Sequence, residues 1–371
     1  MSGPRYTKLV QSLPASVPFV APEQQERKQG YAFAARLGAN EGLFGASPKA
    51  IKAMQEQAGQ QWKYGDPISH DLRAALADHH GIEAKNIVVG EGIDGLLGYL
   101  VRLLIEPGDA VVTSDGAYPT FNYHVAGFGG VLHKVAYNQD HEDPSALFDK
   151  ARETNAKLIY LANPDNPMGT WHEGTVIETV LDTLPPGCLL VLDEAYIDFA
   201  PLHTSPVTDI EDPRIIRMRT FSKAYGLAGA RVGYAMGAAE LIKNFDKIRN
   251  HFGMNRAAQH GALAALQDQA WLARTCEAVS RARDRIAQIA AQNGLSSLPS
   301  AANFVAIDCG KDGAYASEVM TALTAEGIFV RKPIIAPQDR CIRVTCGPEQ
   351  DMDLFEAAFA RALMKSSKNF Q

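Results

Sequence analysis

The chain of 371 residues has few cysteines, no long apolar run and no strong excess of either charge. Its five cysteines are scattered and none forms a Cys-x-x-Cys pair, so neither a disulfide framework nor a metal site is expected. No stretch approaches the roughly 20 apolar residues that cross a membrane, and the first residues do not resemble a signal peptide. The net charge of -6 gives no reason to expect nucleic acid or an anionic membrane as a partner. These absences predict a cytoplasmic protein that acts on small molecules.

Apolar, strand-like runs alternate with helical patterns along the first two thirds of the chain. The runs lie at residues 87–89, 110–113, 131–136, 158–162 and 189–192. Short, continuously apolar strands separated by helices predict an α/β fold, with a mostly parallel sheet flanked by helices on both faces. In such a sheet, ligands bind outside the carboxyl ends of the strands.

This pattern changes near residue 250. Residues 255–293 form one long helical pattern rich in Ala and Arg, and strand-like runs follow at 303–307, 328–332 and 341–345. We therefore predict a large domain at residues 41–250 and a smaller α+β domain at residues 251–371. Residues 1–40 contain four prolines. They are expected to form an irregular arm that belongs to the smaller domain.

The segment at residues 219–234, RTFSKAYGLAGARVGY, places Lys223 among small residues between two probable strands. A lysine in a pocket loses solvation, which lowers its pKa, and its neutral amine can attack an aldehyde. Ser222 and Arg231 lie on either side and could hold an anionic group such as a phosphate ester. A lone lysine in a loop is normally solvated, so it is the surrounding pattern that favours a reactive amine.

Three other segments carry polar groups at predicted strand ends. The run at 188–196, CLLVLDEAY, ends a buried strand with Asp193, which could pair with a protonated pyridine nitrogen, and Tyr196 could donate to a ring hydroxyl. Asn166 lies in the Asn-Pro turn at 163–169, and the glycine turn at 90–95 precedes a long apolar helix, as in anion sites. Taken singly, each has an ordinary alternative: a strand-ending Asp that caps a turn, a surface Asn-Pro turn, and a plain strand-to-helix turn.

Together these segments resemble the fold-type I aminotransferases that depend on pyridoxal 5'-phosphate, most closely their histidinol-phosphate aminotransferase branch. The similarity runs from Leu9 to Phe359, with the motifs in the expected order. SKAYGLAGARVGY is the most specific of them, VLDEAYIDF supports it, and the proline-containing stretch at 17–22 resembles the branch's N-terminal arm.

The resemblance implies a role for each segment. Lys223 would hold pyridoxal 5'-phosphate as a Schiff base and then move a proton between substrate and cofactor. Asp193 would pair with the ring nitrogen, while Tyr196 and Asn166 would reach the ring oxygen. Tyr118 would stack on the ring. A further group would hold the cofactor phosphate: Gly92, Ile93, Asp94, Thr220, Ser222 and Arg231.

The resemblance also implies a homodimer and a substrate site. Tyr64 matches a tyrosine that reaches the cofactor phosphate of the neighbouring subunit, so the active sites would be shared. Arg343 matches the arginine that binds the anionic group of the substrate, and its planar fork suits a carboxylate. Arg331 is a second candidate, with a solvated strand-end charge as an equal alternative. Asn303 and Asn40 are expected to line the same wall.

Three positions depart from the family pattern, and they leave the substrate open. The chain has NEGLFG at 40–45 where Asn-Glu-Asn-Pro is usual, Tyr-Gly-Asp at 64–66 for Tyr-Pro-Asp, and Met168 for Thr. The first lies in the arm that helps cover the substrate.

The expected reaction is transfer of an amino group between an amino donor and a 2-oxo acid. The donor could be histidinol phosphate or another amino acid, including an aromatic one. A related decarboxylase or carbon–sulfur lyase is the alternative reaction. An effector domain of a transcription regulator is disfavoured, because there is no room for a DNA-binding domain before Leu9.

Overall fold

The computed structural model describes residues 3–15 and 21–369. Its strands, numbered in chain order, are β1 (Ala35–Arg36), β2 (Ile87–Gly90), β3 (Ala110–Ser114), β4 (Val131–Val135), β5 (Leu158–Ala162), β6 (Leu189–Asp193), β7 (Ile215–Thr220), β8 (Gly233–Gly237), β9 (Ser296–Ser297), β10 (Phe304–Asp308), β11 (Ile328–Phe329) and β12 (Cys341–Thr345). Its α-helices are α1 (Lys8–Ser12), α2 (Pro22–Gln29), α3 (Pro48–Ala58), α4 (His70–His80), α5 (Gly92–Leu104), α6 (Pro119–Gly127), α7 (Pro144–Thr154), α8 (Gly174–Leu181), α9 (Ala239–Asn244), α10 (Arg256–Leu266), α11 (Gln269–Gln292), α12 (Gly313–Ala325) and α13 (Glu349–Asn369).

A seven-stranded sheet with the order β2-β8-β7-β6-β5-β3-β4 forms the centre of the molecule. Strands β3 to β7 all run in the same direction and pair in parallel with one another. Among the strands described in this sheet, only β8 runs in the opposite direction, and it is antiparallel to both of its neighbours, β2 and β7. The predicted α/β class with a mostly parallel sheet is confirmed. The carboxyl ends of β5, β6 and β7 consequently meet at one edge.

Helices cover both faces of this sheet because its central strands are apolar on both sides. In β5, Tyr160 packs in the same core as Phe121 of α6, whereas Ile159 packs in the core that contains Phe148 of α7 and Ile177 of α8. Successive residues of a strand point to opposite faces, so a strand that is buried along its whole length needs cover on both. This burial explains why β5 and β6 are continuous apolar runs in the sequence.

The C-terminal part is built around a second, three-stranded antiparallel sheet in the order β12-β10-β9. Its core also takes in α11, α12 and α13. The long helical pattern at 255–293 forms two helices, since α10 ends at Leu266 and α11 begins at Gln269. Asp268 lies in the break, where its carboxylate accepts a hydrogen bond from Ser47 at 2.5 Å and pairs with Lys49. The strand expected at 328–332 is also shorter, since only Ile328–Phe329 pairs as β11.

The first 40 residues contain more regular structure than the irregular arm that was expected. Pro22 begins α2, a position where its missing N–H is harmless. Arg36 of β1 is paired with Glu23 and Glu26 of that helix, which ties the helix to the strand. The part of the 17–22 motif before Ala21 lies outside the described residues.

The division of the chain at residues 40 and 250 stays a prediction. Within the described ranges, no helix is both long and apolar enough to cross a membrane.

Candidate active site

The parallel strands bring several predicted residues to one edge of the central sheet. Asp193 is the last residue of β6, Thr220 is the last residue of β7, and the two strands are neighbours. Lys223 follows shortly after the end of β7. The candidate site therefore lies where parallel α/β sheets bind ligands.

Lys223 is held by a segment that is distant in the sequence. Its Nζ donates a hydrogen bond to the backbone oxygen of Asn40 at 2.9 Å and lies 5.5 Å from the centre of the Tyr196 ring. Asn40 is 2% exposed, has a φ of 55° and donates from Nδ2 to the Tyr196 hydroxyl at 3.1 Å. The backbone N–H of Asn40 donates to Thr345 Oγ1 at 3.1 Å. Groups from both ends of the chain thus hold the amine near the Tyr196 ring.

Asp193 is a buried carboxylate, with 5% of its surface exposed. The Tyr160 hydroxyl donates to its Oδ2 at 2.7 Å, and the backbone N–H of Ala195 donates to its Oδ1 at 2.9 Å. Burial outweighs these two hydrogen bonds and raises the pKa of Asp193 to about 6. A cationic N–H group placed against this carboxylate would lower the free energy of its ionised form. The site therefore suits the protonated nitrogen of a pyridine ring.

The start of α5 forms an anion-binding corner. Gly92 has a φ of +80°, and a Cβ there would lie 2.6 Å from Arg231 Nη2, so no larger residue fits without displacing the guanidinium. Arg231 Nη1 lies 3.5 Å from Ser222 Oγ, and the Thr220 hydroxyl donates to the same oxygen at 2.9 Å. Two hydroxyls, a guanidinium and the N–H groups of a helix N-terminus together suit a phosphate ester.

Ile93 and Asp94 complete the first turn of α5, and Asp94 connects it to Tyr118. Asp94 Oδ2 lies 3.7 Å from Arg231 Nη2 and accepts a hydrogen bond from the Tyr118 hydroxyl at 3.4 Å. Burial and the negative charge of Asp94 raise the pKa of Tyr118 above its ordinary value. The Tyr118 hydroxyl therefore stays protonated beside the phosphate corner.

Arg343 of β12 is a half-buried cation of the site, and it contacts the turn that follows β5. Its Nη1 donates to Asn166 Oδ1 at 2.5 Å and its Nη2 donates to the Gly38 oxygen at 3.3 Å, while its buried Nε has no hydrogen-bond partner. Burial lowers the pKa of Arg343 to about 10. A buried guanidinium with an unused N–H is unfavourable by itself, so the geometry suits an incoming anion.

Two further predicted residues, Arg331 and Asn303, lie close to Arg343 and Asn40. Arg331 forms backbone hydrogen bonds with Arg343 in both directions, and burial lowers the pKa of its guanidinium. Asn303 is 1% exposed and donates from Nδ2 to the backbone oxygens of Asn40 and Glu41, while its Oδ1 is unpartnered. The half-buried position of Arg331 beside Arg343 favours the substrate interpretation over that of a freely solvated strand-end charge.

Tyr64 is the one predicted residue that lies apart from this cluster. It is 78% exposed, and its ring packs on Phe252 with the ring centres 4.8 Å apart. Within the described ranges of this single chain, no hydrogen bond joins Tyr64 to the residues around Arg231.

Tyr160 and Thr345 are functional contacts that the sequence analysis missed. Tyr160 had a usable signal, because a tyrosine inside a continuously apolar strand must find a partner for its hydroxyl. Thr345 had none, since its contact with Asn40 joins positions 305 residues apart. Met168, the family departure after β5, is fully buried against Ala306 and Cys341. Its side chain packs the turn after β5 against β10 and β12.

The chain matches known aminotransferases over nearly its whole length. Residues 35–359 match the family model described as Aminotransferase class I and II. The histidinol-phosphate aminotransferase of Moorella thermoacetica is 32% identical over 364 residues, which cover 97% of this chain and 93% of that protein. A similarly named protein of Jannaschia sp. is 34% identical over 323 residues, which cover 87% of this chain and 89% of that one.

Solved structures agree with these relatives. The crystal structure of histidinol-phosphate aminotransferase from Sinorhizobium meliloti, in complex with pyridoxal-5'-phosphate, superposes with a TM-score of 0.95 at 50% sequence identity. It covers 98% of this chain and 99% of that one. The aspartate aminotransferase of Thermus thermophilus with maleate, at 23% identity and a TM-score of 0.80, shares the fold.

The residues present fit pyridoxal 5'-phosphate, and it is the cofactor. The phosphate corner at α5, the buried carboxylate of Asp193 and the amine of Lys223 offer one partner each for its phosphate, ring nitrogen and aldehyde. The chain therefore belongs to the class I and II aminotransferase family and is a pyridoxal-phosphate-dependent transaminase.

Proposed function

We propose that this transaminase moves an amino group between histidinol phosphate and a 2-oxo acid. The observation that carries the proposal is the pair of half-buried guanidiniums, Arg343 and Arg331, joined through their backbones on the substrate side. Adjacent cations favour ligands with anionic groups over ligands with an apolar side chain. The similar proteins of Moorella and Sinorhizobium carry the name histidinol-phosphate aminotransferase.

We assign the groups of the site as follows. When bound, pyridoxal 5'-phosphate supplies an aldehyde that condenses with amines and a ring that withdraws electrons. Lys223 holds the cofactor and, once displaced by substrate, carries a proton at Nζ between substrate and cofactor. Asp193 keeps a proton on the ring nitrogen, and Tyr196 and Asn166 donate to the ring oxygen. Tyr118 covers the ring.

The remaining predicted residues bind the phosphate of the cofactor and the anionic group of the substrate. The phosphate of the cofactor is held by Gly92, Ile93, Asp94, Thr220, Ser222 and Arg231. Arg343 binds the anionic group of the substrate, which is the phosphate of histidinol phosphate or the carboxylate of an amino acid. Arg331 is the second candidate for this group, and Asn303 and Asn40 line the same wall. The buried, unpartnered Arg343 Nε and Asn303 Oδ1 support this assignment, since both atoms need a partner that the described residues do not provide.

We further propose that the enzyme is a homodimer in the cytoplasm and that Tyr64 serves the partner's cofactor phosphate. Trp62 and Tyr64 are each 78% exposed and Phe252 is 52% exposed, and large apolar side chains grouped on a surface mark interaction sites. The domain limits proposed above, an arm at 1–40, a large domain at 41–250 and a small one at 251–371, fit the two separate sheets.

The experiment is a half-reaction screen. Purified holoenzyme is mixed with one amino donor at a time, either histidinol phosphate, glutamate or an aromatic amino acid, and the absorbance of the lysine-bound cofactor is followed. We expect histidinol phosphate and glutamate to convert the cofactor to its amine form. Lys223→Ala should abolish the change, and Lys247→Ala, at an exposed position, should leave it intact.

The arginines refine the test. Arg343→Gln should weaken the binding of every donor. Arg331→Gln should weaken the binding of histidinol phosphate more than that of an amino acid, because a phosphate monoester carries more negative charge than a carboxylate. Rapid reaction with aromatic amino acids and none with histidinol phosphate would replace the proposed substrate by an aromatic one. Release of carbon dioxide or ammonia from a single substrate would indicate a decarboxylase or lyase instead.

A further inference from the structure

Two carboxyl groups lie in contact beneath the substrate side of the site. Glu142, just before α7, and Asp165, in the turn after β5, are each 2% exposed, and their side chains are hydrogen-bonded to each other. None of the motifs of the family resemblance includes Glu142, and the chemistry assigned above does not use either carboxyl.

Each carboxyl is also fixed by two other donors. Glu142 accepts from the Ser114 hydroxyl at 2.5 Å and from the Ala162 N–H at 3.0 Å, so it joins the carboxyl ends of β3 and β5. Asp165 accepts from the Tyr137 hydroxyl at 2.8 Å and from the Met168 N–H at 2.9 Å. Neither side chain is free to turn away from the other.

The hydrogen bond between the two carboxyls requires a proton, because two ionised carboxylates in a buried site repel each other strongly. Burial, followed by the negative charge of Asp165, raises the pKa of Glu142 well above its ordinary value. Burial also raises the pKa of Asp165, to about 6, but the donors Met168, Tyr137 and Glu142 and the charge of Arg343 oppose this rise, and aspartate is the stronger acid. The proton therefore resides on Glu142, which donates to an ionised Asp165.

Asp165 in turn shapes the segment that carries Asn166. Its carboxylate holds the Met168 N–H, and its backbone oxygen accepts from the Gly169 N–H at 3.2 Å, so both groups close the same turn. Asn166 is the next residue, and its Oδ1 receives the hydrogen bond from Arg343. A displacement of Asp165 would therefore move the contact that orients Arg343.

We propose that Glu142 is a positioning residue that acts in its protonated form: it donates a hydrogen bond to Asp165 and so fixes the Asn166–Arg343 pair for an anionic substrate. The inference rests on the proposed role of Arg343 in substrate binding. It assigns Glu142 no contact with substrate or cofactor.

Three substitutions test this role in the holoenzyme. Glu142→Gln keeps a neutral donor toward Asp165, Glu142→Leu removes it at similar size, and Ser114→Ala is the matched control that removes one hydrogen bond to Glu142 but not the one to Asp165. Binding of maleate, an unreactive dicarboxylate, is titrated with each. We expect the dissociation constant to stay within about twofold for Gln and for the Ser114 variant and to rise about tenfold for Leu.

An infrared measurement on the same proteins reports the proton directly. The difference spectrum of wild type minus Glu142→Gln at pH 7 should show the carbonyl band of a protonated carboxylic acid. A carboxylate band in its place would overturn the proposal. So would a loss of maleate binding in the Gln variant that equals the loss in the Leu variant, or unchanged binding in a folded Leu variant. Should the Leu variant fail to fold, the Gln variant and the infrared band still decide.

Failure of the proposed function is recognised separately. In that case the wild-type enzyme does not react with histidinol phosphate, or Arg343→Gln leaves maleate binding unchanged. Neither result depends on Glu142, so the two proposals fall by different observations.

Discussion

Asp193→Asn should separate the function of the buried carboxylate from its effect on stability. The amide is the same size, its oxygen can accept from the Ala195 N–H, and its NH₂ can donate to the Tyr160 oxygen. The Tyr160 hydroxyl hydrogen then loses its acceptor, which costs about 1 kcal/mol, but the removal of the buried negative charge outweighs this cost. We therefore expect the protein without cofactor to become more stable at neutral pH, and the holoenzyme to lose activity.

The magnitude follows from the pKa. Burial raises the pKa of Asp193 from 3.8 to about 6, so the native state binds a proton more tightly than the unfolded state. Between these two values the unfolded chain ionises first, and the stability of the native state falls as the pH rises. Above pH 6 the ionised carboxylate costs about 3 kcal/mol, because each pKa unit corresponds to about 1.4 kcal/mol. In a chain of this size that is about 3 to 6 °C in melting temperature.

The assay is thermal unfolding of both proteins without cofactor, from pH 4 to pH 8. The Asn variant should melt higher at pH 8, and its advantage should disappear as the pH falls toward 4, where Asp193 is protonated in the native state and the ionised carboxylate no longer destabilises it. In the holoenzyme the amide cannot hold the proton on the ring nitrogen, so the rate of the half-reaction should fall by roughly a hundredfold or more. An Asn variant that melts no higher than wild type at pH 8 would refute the account of Asp193 as a destabilising charge.

Three other predictions follow from the packing. Gly92→Ala should weaken cofactor binding measured by titration of the apoprotein, because the new methyl group displaces Arg231; unchanged affinity would contradict this. Arg340→Met should lower the free energy of unfolding by about 2 kcal/mol, because it leaves Asp140 and Asp308 unpaired. Because Arg340 lowers the pKa of Asp140, the difference in the free energy of unfolding between wild type and variant, measured in denaturant, should narrow as the pH falls below 3.8. The four buried cysteines, whose pKa burial raises to about 12, should react with iodoacetamide at pH 8 only after denaturation, and rapid native labelling would count against their burial.

The sequence predicted best where local pattern and chemistry coincide. β6 is a continuous apolar run that ends in Asp193, so both the strand and the position of its carboxylate at the sheet edge were readable. The turn at Gly92 could be located for the same reason. The class of the fold and the cofactor followed from these motifs in order, and both are confirmed.

What the sequence could not show depends on contacts between distant residues. Asp268, in the break between α10 and α11, contacts Ser47 and Lys49, which lie more than 200 residues earlier in the chain and cannot be paired with it from local pattern. The position of Asn40 over Lys223 requires a φ of 55° that its neighbours do not signal. Glu142 is also invisible in the sequence, because an acidic residue in a loop is normally solvated.

The pairing of β1 with β11 has a consequence for the order in which the enzyme is made. Ala35 pairs with Ile328, and the Thr345 N–H donates to the Leu37 oxygen at 2.8 Å, so the segment that leads to Asn40 is anchored by residues translated last. A ribosome-bound chain can complete the central sheet, and with it Asp193 and Lys223, while this segment still lacks its anchor. Lys223 is therefore synthesised before the residues that anchor the segment over it, and a chain released before Cys341 would lack the Thr345 contact to Leu37.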